Sequence, residues 1–108
     1  MTTTYVQVCK LSDLKEGEFR LFTVASREVL LMLVRKTVYC VANRCSHMAK
    51  PLDGGRLLGY HLICPFHSAQ FDVRTGKSGG FPASRSIQTF PVHMHHGDVM
   101  IGIDVKHP

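Results

Sequence analysis

Two short pairs of metal-capable side chains constrain this chain more than any other feature: Cys45-Ser46-His47, then 16 residues, then Cys64-Pro65-Phe66-His67. Each pair offers one thiol and one imidazole from a single tight loop. Using them together requires two loops to face each other. Four such donors suit one tetrahedral zinc, or a binuclear iron–sulfur cluster in which each iron takes two of them. In the cluster reading, the two cysteines hold one iron and the two histidines the other. Replacing two thiolates by two neutral imidazoles removes two negative charges, so the cluster takes up an electron more readily. Potentials of such clusters run from about −150 to +300 mV, against about −400 mV for the all-cysteine plant type.

The other two cysteines, Cys9 and Cys40, lie in apolar, strand-like stretches. They read most simply as small buried apolar residues. An all-cysteine cluster from Cys9, Cys40, Cys45 and Cys64 lacks the Cys-x₄-Cys-x₂-Cys run that plant-type clusters use. Two disulfides would need an oxidising compartment, which nothing in the sequence indicates. His61, His93, His95, His96 and His107 read as surface residues, and the methionines as core or loop filler.

The chain has 108 residues, one domain's worth, and a thin core that a metal centre would help to stabilise. Apolar and β-branched runs suggest strands over residues 5–9, 19–24, 29–34, 37–42, 61–63, 70–73, 86–93 and 99–105. Residues 25–28 form a hairpin turn in this reading, 74–77 and 95–98 form two more, and residues 11–17 hold at most one helical turn capped by Ser12 or Asp13. Short strands punctuated this often indicate an all-β, antiparallel fold. The middle of the chain differs, being richer in Gly, Pro, Cys, His and basic residues. This predicts a β base from residues 1–42 and 86–108, with a loop-rich subdomain inserted at about 43–85.

With those residues in view, the chain resembles the Rieske ferredoxins, the small electron carriers of bacterial multicomponent aromatic-ring dioxygenases. The resemblance spans nearly the whole sequence. It rests on the Cys-x-His and Cys-x-x-His pairs, on Phe71-Asp72-Val73-Arg74-Thr75-Gly76, and on the Gly/Pro string at residues 79–82. It implies a Rieske fold of stacked antiparallel sheets and a 2Fe–2S cluster held by Cys45, His47, Cys64 and His67, with residues 79–82 as a third loop over it. It also implies a carrier with no catalytic residues of its own, serving aromatic hydrocarbon catabolism. Electrons would come from an NADH-dependent flavin reductase and pass to a terminal oxygenase. A small Rieske subunit of another redox complex, such as a nitrite reductase, and a zinc-stabilised interaction module are the alternatives.

The respiratory members of the wider family carry a disulfide between the ligand loops and hydroxyl donors near the cluster. The matching positions here are Lys50 and Phe66, then Ala69 and Phe71, so neither feature can form. Fewer hydrogen bonds to sulfur leave more electron density on it, which places the expected potential near the low end, about −150 mV. After the second histidine stands Ser68, where the family usually has Gly. A positive φ there would cost a serine more than a glycine.

The net charge is +5, and residues 44–85 hold six cations against two carboxylates. A solvated basic surface and a docking face for an acidic partner both fit this pattern. No nucleic-acid motif accompanies it. The longest apolar run, residues 29–34, is far short of the roughly 20 residues of a membrane span, and the N-terminus has no signal-peptide pattern. A cytoplasmic, monomeric, non-membrane protein is the expectation.

Overall fold

The computed structural model describes residues 2–46, 50–66, 69–79 and 85–105. Among them run ten strands: β1 (Thr2–Lys10), β2 (Phe19–Val24), β3 (Arg27–Val34), β4 (Thr37–Ala42), β5 (Arg56–Leu58), β6 (His61–Ile63), β7 (Gln70–Asp72), β8 (Thr89–Phe90), β9 (Val92–His95) and β10 (Asp98–Val105). They form three antiparallel sheets, ordered β1-β10-β9, β2-β3-β4-β8 and β5-β6-β7. The helical element is one 3₁₀ turn, Leu11–Asp13, and its cap is Asp13 reaching back to the Lys10 N–H at 2.9 Å. Among the described residues no helix is long and apolar enough to cross a membrane.

The long apolar run becomes the middle of the fold. Successive side chains of a strand point to opposite faces. Leu30, Met32 and Val34 of β3 therefore enter one core, shared with Leu62, Phe71 and Val73 of the β5-β6-β7 side. Val29 and Leu31 enter the other, shared with Val99, Ile101 and Ile103 of β10. A strand buried on both faces needs no polar alternation, which is why this segment reads as one unbroken apolar stretch.

Three differences from the sequence reading have local causes. The first hairpin is tighter than a four-residue turn. Arg27 and Glu28 pair with Val24 and Thr23, and only Ala25 and Ser26 turn the chain, both with positive φ. The stretch at residues 86–93 is two strands, because Pro91, which has no N–H to give a ladder, separates β8 from β9. The loose alternation of β1 reflects a register shift between Gln7 and Cys9. β5 was not anticipated: three residues, Arg-Leu-Leu, are too few to show a period.

Gly76 closes the turn after β7. Its φ is +79°, and a Cβ there would lie 2.2 Å from the Ile87 carbonyl oxygen. Only glycine satisfies both demands. The Ile87 N–H in turn donates to the Gly76 carbonyl at 2.8 Å, which ties the β7–β8 connection back to the sheet.

Candidate metal centre

The strands fix where the two cysteines go. Cys45 follows the end of β4, and Cys64 follows β6 directly. Both are buried, at 1% and 2% exposure, and both belong to the core between the central sheet and β5-β6-β7. Neither is in a disulfide. They are close enough that, beyond the effect of burial, Cys45 raises the pKa of the Cys64 thiol.

The two loops are closed in the same way. The Cys45 N–H donates to the Lys50 carbonyl at 2.7 Å, and the Cys64 N–H donates to the Ala69 carbonyl at 2.7 Å. Each bond spans five residues and encloses one histidine position. His47, His67 and the neighbouring Ser68 lie outside the described residues, as do residues 80–82 of the expected third loop.

Around this pair the polar groups are arranged rather than scattered. The Phe66 N–H donates to Cys64 Sγ at 3.4 Å. Burial pushes the Cys64 thiol up, the Phe66 amide opposes that, and the contact with Cys45 pushes it up further. Two adjacent buried thiols cannot both ionise without a cation between them. A metal centre supplies that cation, so the donor set fits one.

Asn43 anchors the first loop. Its side-chain oxygen accepts from the Leu52 N–H at 2.7 Å and the Asp53 N–H at 2.9 Å. Its side-chain nitrogen donates to Glu28 Oε1 and Asp53 Oδ1, both at 3.2 Å. Its own N–H donates to the Glu28 carbonyl at 3.0 Å. The Ser46 hydroxyl donates to the Arg85 carbonyl at 2.6 Å, joining the first loop to the end of the β7–β8 connection. Nothing in the sequence singled out Asn43 or Ser46, since a buried amide hub and a loop-to-loop hydroxyl leave no spacing pattern.

Ala69 and Phe71 are fully buried in the same core as both cysteines. Lys50 and Phe66 meet across the two loops, with the Lys50 ammonium 4.8 Å from the ring centroid.

The remaining candidates are elsewhere. Cys9 and Cys40 sit in the core on the opposite face of the central sheet, and burial pushes the Cys40 thiol up to about 12. His61 is exposed and opposite Asp72. His93, His95 and His96 are exposed along the β9–β10 hairpin. Arg74 is engaged by Asp72 and Tyr60. It holds Asp72 by two hydrogen bonds of 3.0 and 2.8 Å and lies 3.9 Å from the centroid of Tyr60. The Arg74 guanidinium keeps the Asp72 carboxyl below the usual carboxylate range.

Three antiparallel sheets that bring two equivalent cysteine loops into one core make a metal-binding protein, and the family comparison gives its class. Residues 4–91 match the Rieske [2Fe-2S] domain. The chain belongs to the Rieske [2Fe-2S] domain family. Among curated relatives it is 35% identical, over 103 residues, to the ferredoxin component of the naphthalene 1,2-dioxygenase system of Pseudomonas putida, covering 95% of this chain and 99% of that one. Among solved structures it is similar to the ferredoxin of carbazole 1,9a-dioxygenase from Nocardioides aromaticivorans IC177. That match has a TM-score of 0.86 and 31% identity, covering 91% of this chain and 96% of the other. It is also similar to a chain in a complex of reduced oxygenase and oxidized ferredoxin of carbazole 1,9a-dioxygenase, with a TM-score of 0.85, 28% identity and coverage of 96% and 97%. A Rieske 2Fe–2S cluster is the cofactor that this membership implies.

Proposed function

We propose that this protein is the ferredoxin of a ring-hydroxylating dioxygenase system, a one-electron carrier and not the catalyst. It takes electrons from an NADH-dependent flavin reductase and delivers them to a terminal oxygenase. The observation that carries this reading is the pair of buried, free cysteines, Cys45 and Cys64, brought into one core by two identically closed loops. The relatives' roles support it, since they are named as ferredoxin components. In this reading Cys45 and Cys64 hold one iron of the cluster, and His47 and His67 hold the other.

When bound, the cluster supplies a one-electron redox couple. The chain's own residues do the rest. The core around Ala69, Phe71 and Leu62 keeps water from the sulfur side. The Phe66 amide is aimed at Cys64 Sγ, where it favours the more negative state of the sulfur. The Asn43 and Ser46 hydrogen bonds hold the first loop to the sheet and to the third connection. Residues 43–85 act as the cluster-binding subdomain on a β base of 1–42 and 86–108, in a cytoplasmic monomer.

Anaerobic reductive titration tests the reading: one electron per chain, with bleaching of a visible spectrum. Adding the reduced protein in trans to the reductase and oxygenase of its own system should then restore NADH-driven hydroxylation. A colourless zinc protein contradicts the carrier role. A permanent stoichiometric complex with a single enzyme would instead make it a bound subunit of another redox complex.

A further inference from the structure

We infer that a groove between Arg44 and Arg85 is the socket for carboxylates on the electron-accepting protein. This inference rests on the carrier reading. The groove is about 310 Å³ and is lined by Arg44, Cys45, Ser46, Arg85, Ser86 and Gln88, among others. Cys45, itself buried, is among its lining residues, while both arginines are exposed. The Ser46–Arg85 hydrogen bond fixes the two walls relative to each other.

Neither arginine of the groove is in an ion pair with an Asp or Glu side chain. All eight Asp and Glu residues lie in described parts of the structure. The ion pairs they make there are Lys10–Asp98 and Arg74–Asp72, both away from the groove. The two carboxylates on the thiol side, Glu28 and Asp53, are held by the Asn43 amide. Arg44 and Arg85 therefore face solvent without a side-chain ion partner. Lys50 and Arg56 add two more cations, in the first loop and at the Ile63 end of β5.

The geometry selects for sign as well as charge. Arginine's planar fork matches a carboxylate bidentately. Two such forks flanking a groove that Cys45 helps to line orient an acidic side chain there and bring its protein within electron-transfer range. The same field steers an anionic face to this end of the carrier during encounter.

The test uses charge reversal in the cluster-loaded protein. The variants are Arg44→Glu, Arg85→Glu and their combination, with Lys15→Glu as an equal charge change in an exposed segment beside the β3–β4 hairpin. Two probes are read. The first is oxidation of the dithionite-reduced protein by ferricyanide, an anion, and by hexaammineruthenium(III), a cation, in stopped flow at low ionic strength. The double variant should slow the ferricyanide reaction by about fivefold or more and speed the ruthenium reaction, while Lys15→Glu changes either by less than about twofold. The second is calorimetric binding of a decaglutamate peptide, expected for the parent and Lys15→Glu and lost in the double variant. Equal effects from Lys15→Glu, or no peptide binding by the parent at low salt, overturn the inference. A parent that dithionite does not bleach overturns the carrier reading instead. Should charge reversal reduce cluster loading, Arg44→Gln and Arg85→Gln replace it, with smaller shifts of the same sign expected.

Discussion

The Lys50 ammonium stands 4.8 Å from the centre of the Phe66 ring, so the two cysteine loops touch through a cation and an aromatic face. Phe66 is 39% exposed, which makes this a surface contact. Such contacts contribute about 0.5–1 kcal/mol at exposed sites. A double-mutant cycle with Lys50→Met and Phe66→Leu should return a coupling of about that size in urea denaturation of the loaded protein. Both variants keep the Phe66 N–H that reaches Cys64, so the visible spectrum should be unchanged. A coupling indistinguishable from zero means the loops are held by their backbone bonds alone.

Asn43 is the more critical tie. Asn43→Ala leaves the Leu52 and Asp53 N–H groups without their acceptor, and Leu52 is fully buried. Unsatisfied buried donors cost about 1–3 kcal/mol each, so a loss of about 2–4 kcal/mol is expected. Asn43→Asp keeps both acceptors but sets a third carboxylate beside Glu28 and Asp53, so it should be destabilising at neutral pH and recover as the pH is lowered. Equilibrium unfolding at two pH values separates the two variants.

How far the sequence disclosed all this depends on which physical signal each part leaves. The meeting of Cys45 and Cys64 in one core was legible because metal ligation needs particular atoms at particular spacings, while His47 and His67 lie outside the described residues. β4 and β6 were legible to the residue, since Thr37 and His61 each follow a turn and open an apolar run. The two-sided burial of β3 was not, because an unbroken apolar run fits a buried strand of any sheet order. Nor was the fate of the basic segment. Arg74 belongs to Asp72 and Tyr60 beside the β5-β6-β7 sheet, while Arg44 and Arg85 line one groove with Cys45. Linear charge counts cannot distinguish those positions. The Asn43 hub needed three dimensions, as its partners come from two segments distant in sequence, Glu28 of β3 and the adjacent Leu52 and Asp53.

The β2–β3 hairpin turns on two residues that bear Cβ atoms in the left-handed region, Ala25 at φ +50° and Ser26 at φ +65°. Two-residue turns of this hand favour Asn-Gly. Replacing Ala25-Ser26 by Asn-Gly should stabilise the protein by about 1 kcal/mol through relief of left-handed strain, read as a higher urea midpoint with an unchanged slope. An unchanged or lower midpoint would show that the present residues carry no strain there.

Glu16 caps the next hairpin, accepting from the Arg35 N–H at 2.6 Å and the Lys36 N–H at 3.0 Å. The Lys36 and Arg35 amides hold its carboxyl below the ordinary 4.5. Since the folded carboxyl ionises below its unfolded value, its stabilisation is complete above 4.5 and is lost as the pH falls through the folded value. The stability gap between the parent and Glu16→Gln should therefore be widest at neutral pH and narrow in acid. A gap that is constant with pH contradicts a charged cap.

Pulsed EPR of the reduced protein, resolving nitrogen couplings to the electron spin, probes the ligand set directly. Two coupled imidazole nitrogens are expected, with His47→Cys and His67→Cys each removing one and Cys40→Ser removing none. A spin with no nitrogen coupling, pointing to four sulfur donors, or a protein that holds zinc and gives no signal, would contradict ligation by Cys45, His47, Cys64 and His67.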